Sequence, residues 1–544
     1  MVLANLGWLA LMLGSLIVVH EFGHLVVAKL CGVKVEKFSV GFGRKLISFT
    51  RGETEYQLAL IPLGGYVKMA GAVPGEEISP EDEKRGFLTQ APWKRALISF
   101  AGPASNVIFP IFLGLAVFVG WPQTSTRVMS VTAGLPPAMA GLQVGDRVLA
   151  VNGNPVESEA GLAWRLEGKR WDDVVLTVDR AGVSKELRLH AGETLLGESI
   201  PMVRPGLVGF SAVPEPVQVG VLAGSPGAAA GLKTFDRMLS VNGTPVVDRQ
   251  ALEAALHAAG SATTVQVEVA RFSPARMPGA EMQTFERVVF TVPLQPGGRG
   301  LAALGADSAD LFIGNVAPGS VAEKAGVEVG DRLLQVNGKD VPSFAQFMFT
   351  LESLGSKSFQ LSFQHGAERR TVPLTRMAVE VQGQYGQKEQ RLQIGIGAFL
   401  GDIGERPHSD KVHLGIGAAF MDSLHSVESM TAQMATGIGM LVTGRTSLDN
   451  GGSVGTLYLV AARSAEQGFD TFLLTMAFVS INLGLVNLFP IPALDGFTLL
   501  SAFWEAVRRR PMSNRVREVA TMIGIALLLM LMARFLFNDV RRLL

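Results

Sequence analysis

Two patterns of hydrophobic and polar positions divide the chain. Long runs free of Lys, Arg, Asp and Glu occur near both ends, and short alternating runs broken by Gly-Asp and Asn-Gly fill the middle. A helix needs about 20 apolar residues to cross roughly 30 Å of hydrocarbon. The first run starts at Met1, meets Glu21 and continues apolar to Cys31; the second is Ala96 to Thr126 and the third Thr471 to Leu494. The fourth, Val519 to Ala533, continues beyond Arg534, whose long stem can carry its charge toward headgroups. These runs predict four membrane helices over residues 5–31, 96–121, 471–494 and 519–537. The first lacks a basic leader and a small-residue cleavage site, which predicts a retained helix rather than a signal peptide.

The connections orient the spans. Ten Lys/Arg lie from Lys34 to Arg95, and Arg508, Arg509, Arg510, Arg515 and Arg517 lie between spans three and four. The excess of basic residues in cytoplasmic loops places both segments inside. Both termini and the long middle segment, about Arg127 to Lys411, are then expected outside, with Arg541 and Arg542 pulling mildly against this.

The middle segment repeats itself. Val144-Gly145-Asp146-Arg147-Val148-Leu149-Ala150-Val151-Asn152-Gly153 returns as Thr234 to Gly243 and again as Val329 to Gly338. A Gly-Asp turn, an alternating strand and an Asn-Gly turn are hairpin chemistry, and segments such as Ser343 to Leu354 have helical periodicity. These strings resemble bacterial PDZ domains and predict three small α+β units over 127–202, 203–297 and 298–378. Such domains take a peptide as an added strand, so each unit either recognises a partner's tail or serves as a spacer. Phe235 stands where the other copies have Gly145 and Gly330, so that turn must be built differently. A polar, Gly-rich linker is expected over 379–412 and an amphipathic interfacial helix over 413–445, centred on Ile416 to Leu441.

Composition narrows the function. The 48 Lys+Arg balance the 48 Asp+Glu, which leaves no basic field for nucleic acid. The low charged share of 18% and a mean hydropathy of +0.30 agree with membrane segments. Cys31 is the only cysteine, so there is no intramolecular disulfide and any metal must use His and carboxylates.

Inside the first apolar run stands His20-Glu21-Phe22-Gly23-His24. Residues four apart share a helix face, so His20 and His24 can offer imidazole nitrogens to one ion, with Glu21 beside it. Zinc hydrolases use three protein ligands, and Asp495, past the Pro-broken string Asn482 to Gly496, is a candidate third. The plainer reading makes Asp495 a cap at the interface and the two histidines buried polar contacts. Gly451 to Gly455 fits the G-x-S-x-G elbow of serine hydrolases, but it leads into an apolar span and lacks the strand-to-helix setting of an α/β sheet.

The His20 to His24 string, the run Gly41-Phe42-Gly43-Arg44 to Pro62-Leu63-Gly64-Gly65-Tyr66-Val67-Lys68-Met69, Ala101-Gly102-Pro103-Ala104-Ser105-Asn106, and Asn482 to Gly496 together resemble the bacterial site-2 protease family of intramembrane zinc metalloproteases. The resemblance implies a polytopic α-helical membrane protein of the bacterial inner membrane, with a cytoplasmic membrane-associated β-sheet at 33–70 and PDZ domains outside. It implies His20, His24 and Asp495 as ligands of Zn²⁺, Glu21 as base, and Asn482 and Asn487 as groups holding substrate or its oxyanion. Gly43 and Tyr66 fall in the sheet implied to dock unwound substrate. Phe497 stands where the family commonly has a second Gly, and three repeats stand where two are usual.

The implied activity is cleavage of membrane segments of single-span proteins already shortened outside by an upstream protease, such as an anti-sigma factor, or of signal-peptide remnants. Peptide or protein tails at the PDZ-like units are possible partners. The rival from another class is a membrane PDZ scaffold with a structural metal site. A metal transporter would show repeated acids or His in corresponding halves, and these spans hold only His20, Glu21, His24, Lys29 and Arg534, with Asp495 at a boundary.

Overall fold

The structure is a computed structural model. It describes residues 2–543 except 74–75, 77–78, 196–198, 201–208, 214, 260–261, 278–279, 383–387, 400–408, 447–453, 493 and 511. The chain forms two compact units: Met1–Trp121 with Gln382–Lys388 and His413–Leu544, and Pro122–Val381 with Glu389–Val412.

The first unit is helical apart from one hairpin. Its helices are α1 (Val2–Leu30), α2 (Pro92–Gly120), α3 (Ile416–Val442), α4 (Val454–Gln467), α5 (Phe469–Asn487), α6 (Asp495–Arg508) and α7 (Asn514–Leu543). Four of these, α1, α2, α5 and α7, contain segments long and apolar enough to cross a membrane: Ala4–Leu30, Pro92–Gly120, Phe469–Asn487 and Arg515–Asn538. The chain is a multi-pass membrane protein. Met12, Leu16, Val117, Phe472 and Ala461 meet in one core of α1, α2, α4 and α5.

Glycines set how closely these helices approach. A Cβ at Gly23 of α1 would lie 2.4 Å from the Ala101 carbonyl of α2, and one at Gly484 of α5 would lie 2.8 Å from the Pro103 carbonyl. Helix α3 also packs on α2: the Ser423 hydroxyl donates to the Ile111 carbonyl at 2.7 Å, and a Cβ on Gly114 would collide with Ser423. The helix expected to lie at the interface is thus docked on the middle of α2.

The hairpin joins β1 (Val35–Arg51) to β2 (Thr54–Met69), antiparallel, with repeated register shifts between Val35 and Ile47. Its outer part exposes Leu46, Ile47, Phe49 and Leu60, apolar side chains fit for a lipid boundary.

The third apolar run differs from its expected span. Helix α5 stops at Asn487, because Pro490 and Pro492 cannot continue the backbone ladder, and Asp495 opens the separate helix α6. The Gly-rich link before this run becomes α4 from Val454 onward, while 451–453 of the G-x-S-x-G string lie outside the described residues.

In the second unit the three repeats build the same four-stranded antiparallel sheet. The strand orders are Asn154–Pro155, Arg147–Val151, Val175–Arg180, Val183–Arg188; then Thr244–Pro245, Arg237–Val241, Thr264–Met277, Ala280–Pro293; then Lys339–Asp340, Arg332–Val336, Ser358–His365, Glu368–Thr375. Each Asn-Gly turn puts its Asn in the left-handed region, at φ 52° for Asn152 and 48° for Asn242 and Asn337. Each repeat carries a helix, Glu159–Leu166, Arg249–Ala258 or Phe344–Leu354, capped by the side chain of Ser158, Asp248 or Ser343.

Each repeat also has a short strand pair. In the third it joins Asn315–Val316 to Ile396–Gly397, so part of the expected linker 379–412 belongs to that repeat. The expected boundaries at 202 and 297 both move later, because Phe210–Ser211 pairs with Ser130–Val131 of the first repeat and Ala306–Ser308 pairs with Val219–Val221 of the second.

Candidate metal centre and active site

Helix α1 places His20 and His24 one turn apart on the face toward α2, and both side chains are buried. Helix α6 brings Asp495 to them from its first residue. His20 Nε2 lies 3.0 Å from Asp495 Oδ2, His24 Nε2 lies 3.4 Å from the same oxygen, and the two Nε2 atoms are 3.2 Å apart. Two imidazole nitrogens and one carboxylate within 4.8 Å of one another can hold a single cation, and this His₂-carboxylate set matches that of catalytic zinc sites.

The surroundings fit a metal. His24 Nδ1–H donates to the Ile98 carbonyl at 2.8 Å, which fixes the ring and leaves Nε2 free to ligate. The Asn106 carboxamide nitrogen lies 3.2 Å from His20 Nδ1, while Asn106 Oδ1 is buried and meets no donor among the described residues. Half a turn of that carboxamide presents Oδ1 to Nδ1–H, the tautomer that frees Nε2 of His20. Asn106 is itself anchored, since Ser480 Oγ of α5 donates to its carbonyl at 2.7 Å. Gly102 clears the space: a Cβ there would lie 2.3 Å from His24 Nε2 and 2.8 Å from His20 Nε2.

Helix α6 is held from its far end. Arg95 of α2, almost fully buried, pairs with Glu505 at 2.5 Å. At its near end Gly496 fits where a Cβ would lie 2.2 Å from the Leu488 and Phe489 carbonyls. Phe497 continues the helix with an ordinary backbone, its N–H donating to the Leu494 carbonyl. A second glycine is not required there.

Glu21 sits half-buried beside the two histidines and faces β2. A Cβ on Gly65 would lie 3.5 Å from Glu21 Cγ, and the Val67 backbone is a hydrogen-bonding neighbour of the carboxylate. In the same hairpin Tyr66 stacks on Phe42, 6.3 Å between ring centres, and Gly43 adopts φ 89°. Asn482 is exposed on α5 and Asn487 is half-buried at its end; the converging set of His20, His24 and Asp495 forms without them. Gly102 and Asn106 belong to the Ala101 to Asn106 string, and the sequence alone assigns them no part in the site. Their signal was a run of small residues ending in Asn at the entry of a span.

Residues 8–531 match the model of peptidase family M50. A Neisseria meningitidis protein named "Putative zinc metalloprotease NMA0084" is 30% identical over 539 residues, covering 97% of this chain and 97% of that one. "Regulator of sigma-E protease RseP" of Salmonella typhimurium is 29% identical over 546 residues, covering 100% of this chain and 99% of its own. The Escherichia coli protein of the same name is 29% identical over 542 residues, at 98% and 97% coverage. A PDZ domain of the SdrC-like protein from Listeria monocytogenes aligns with 16% of this chain and 84% of its own at 17% identity; the TM-score of 0.13 carries no argument about fold.

Proposed function

This chain belongs to peptidase family M50 and is a zinc metalloprotease of the site-2 type; from that premise we propose that it cuts the membrane segments of single-span proteins of the bacterial inner membrane. The observation that carries this reading is the convergence of His20 and His24 with Asp495 inside a bundle of apolar helices. His20 Nε2, His24 Nε2 and a carboxylate oxygen of Asp495 hold the zinc ion. Zinc bound there supplies a Lewis acid that polarises the scissile carbonyl and acidifies a water molecule.

The chain's own groups do the rest. The Glu21 carboxylate takes a proton from the attacking water and passes it to the leaving amide nitrogen. Asn482 and Asn487 donate to substrate carbonyls or to the oxyanion. A substrate helix hides its carbonyls in its own hydrogen bonds and must unwind before it can react. Pairing as a strand with the sheet around Gly43 and Tyr66 replaces the lost bonds, and the nearness of Gly65 and Val67 to Glu21 supports that docking edge.

The three repeats are PDZ-like units on the outer side, with both termini outside. They admit substrates whose outer domain an upstream protease has removed. Such substrates include an anti-sigma factor, in keeping with relatives named regulators of sigma-E, and signal-peptide remnants.

The test is zinc content and cleavage of a pre-shortened single-span reporter by purified wild type and Glu21→Gln. About one zinc in each, with cleavage by wild type alone, supports the reading. Zinc with no cleavage by either leaves an inactive scaffold, and absence of zinc removes the proposed ligand set.

A further inference from the structure

Helix α6 has two faces. Gly496, Ser501 and Ala502 are buried, and Glu505 pairs with Arg95 of α2. Leu500, Phe503, Trp504 and Val507, at i, i+3, i+4 and i+7, share the other face and are exposed. A helix that is apolar outside as well as inside fits lipid rather than water.

Packing sets the depth of this face. Asp495 meets the histidines that crowd Gly102, and Glu505 meets Arg95, so α6 runs antiparallel to the first turns of the spanning helix α2. Trp93 stands two residues before Arg95 and Trp504 one before Glu505, which puts both exposed indoles within about one helical turn of a common level. Tryptophans gather where hydrocarbon gives way to headgroups. Helix α6 then continues for one more turn, to Arg508, into that layer.

The charge it carries there is positive. Arg508, Arg509, Arg510, Arg515 and Arg517 lie between the end of α6 and the start of α7, and Glu518 is the one acid from Ala506 to Glu518. Arg508 lies over the Trp504 ring, 4.7 Å from its centre, and among the described residues no carboxylate pairs with any of the five. Arg509 holds φ 54°, the left-handed cap position that glycine takes most easily, so a charged side chain is kept where the backbone favours none.

Like charges this close, without acids between them, repel one another and attract an anion. Nucleic acid or an acidic protein would reach them only from water. An anionic phospholipid brings its phosphate to the level of the arginines and its chains to the apolar face beside them.

We propose that the end of α6 is a binding site for an anionic phospholipid, with the phosphate on Arg508, Arg509 and Arg510 and the chains along Phe503, Trp504 and Val507. The bound lipid anchors, from about 20 Å away, the helix that begins with Asp495.

Two measurements on the full-length chain test the site, and neither uses zinc or cleavage, so their outcome is independent of the protease reading. In detergent micelles, phosphatidylglycerol with brominated chains is titrated against wild type and Trp504→Phe, and the difference in tryptophan quenching reports Trp504. Half-quenching is expected at tenfold or more lower concentration than with phosphatidylcholine carrying the same chains, since an arginine near an anionic surface contributes about fivefold. The triple variant Arg508→Gln, Arg509→Gln, Arg510→Gln, measured the same way, is expected to lose that preference. Equal quenching by the two lipids in wild type, or a preference that survives in the triple variant, overturns the site.

Arginines beside a span also help to orient it, so the second measurement leaves the chain unaltered. In nanodiscs, amide hydrogen exchange at Val507 to Arg510 is expected to slow about tenfold when phosphatidylcholine alone is replaced by an equal mixture with phosphatidylglycerol. Exchange at Glu83 to Arg85, which precede α2 on the same side of the membrane, is expected to stay unchanged. Equal exchange at Val507 to Arg510 in both bilayers, or the same slowing at both segments, overturns the proposal.

Discussion

The side chain of Asn106 of α2 lies 3.2 Å from Nδ1 of His20, 86 positions away in sequence. A neighbour of this kind fixes which nitrogen keeps its proton and so which can ligate. Asn106→Leu is expected to weaken zinc retention about 10- to 100-fold, the usual range for such partners. Asn106→Asp, which still offers an oxygen to Nδ1–H, should retain most of it. Zinc release to a fluorescent chelator reads both, and unchanged retention in Asn106→Leu would show that the ring is oriented by other means.

Gly102→Ala tests whether the histidines need the bare backbone of α2. The added methyl would stand 2.3 Å from His24 Nε2, closer than atoms can approach, and α2 cannot retreat while Gly23 and Gly484 hold its neighbours tight. Loss of zinc and of cleavage is expected in a chain that still purifies as a folded protein. Full activity would mean that the helices can separate by most of an ångström.

The pairing of Arg95 with Glu505 ties α2 to the helix that begins with Asp495. Glu505→Gln leaves a guanidinium buried without its partner. The expected cost is about 3 kcal/mol, the lower end for a broken buried pair because Glu505 is partly exposed. Zinc retention should fall along with thermal stability. A variant that melts earlier yet holds zinc as tightly as wild type would separate the anchor from the placement of Asp495.

The first repeat should carry an acid-sensitive increment of stability. Burial pushes the Asp146 carboxyl up, but the two bonds from Arg180 and the Gln143 N–H outweigh it and hold the group below the ordinary range. A depressed folded value gives stability that is present above the unfolded value of about 4 and lost as pH falls through the folded one. Asp146→Asn is therefore expected to cost about 1 to 3 kcal/mol at pH 7, with the gap to wild type closing below about pH 4. Melting curves that stay parallel from pH 7 to pH 3 would exclude this. The third repeat makes the same contact with a histidine, His365 Nδ1 to Asp331 Oδ1 at 2.8 Å.

What the sequence revealed followed from local periodicity. Four-residue spacing put His20 and His24 on one face, and the repeated Gly-Asp and Asn-Gly strings marked hairpins that the backbone of Asn152, Asn242 and Asn337 bears out. Contacts made across the fold left little trace. Nothing near Ile98 marked its carbonyl as the acceptor for His24, and the charges of Arg463 and Glu466 hid α4 from a search for apolar runs. Phe235 stood out as the wrong residue for its turn, yet its partner was invisible. Held at φ 75°, it stacks on Phe399 with ring centres 4.5 Å apart, so packing offsets the strained backbone that glycine would have eased.

The three groups that converge on one point come from opposite ends of the chain, His20 and His24 from α1 and Asp495 from α6. During synthesis the histidines enter the bilayer while the ribosome still has all three repeats to make. A nascent or truncated chain that ends before α6 therefore has the histidines and Glu21 but lacks the third donor. With the ligand set proposed above, an enzyme able to cut membrane helices is in this way born unarmed, and it becomes competent only after its last segments have been inserted.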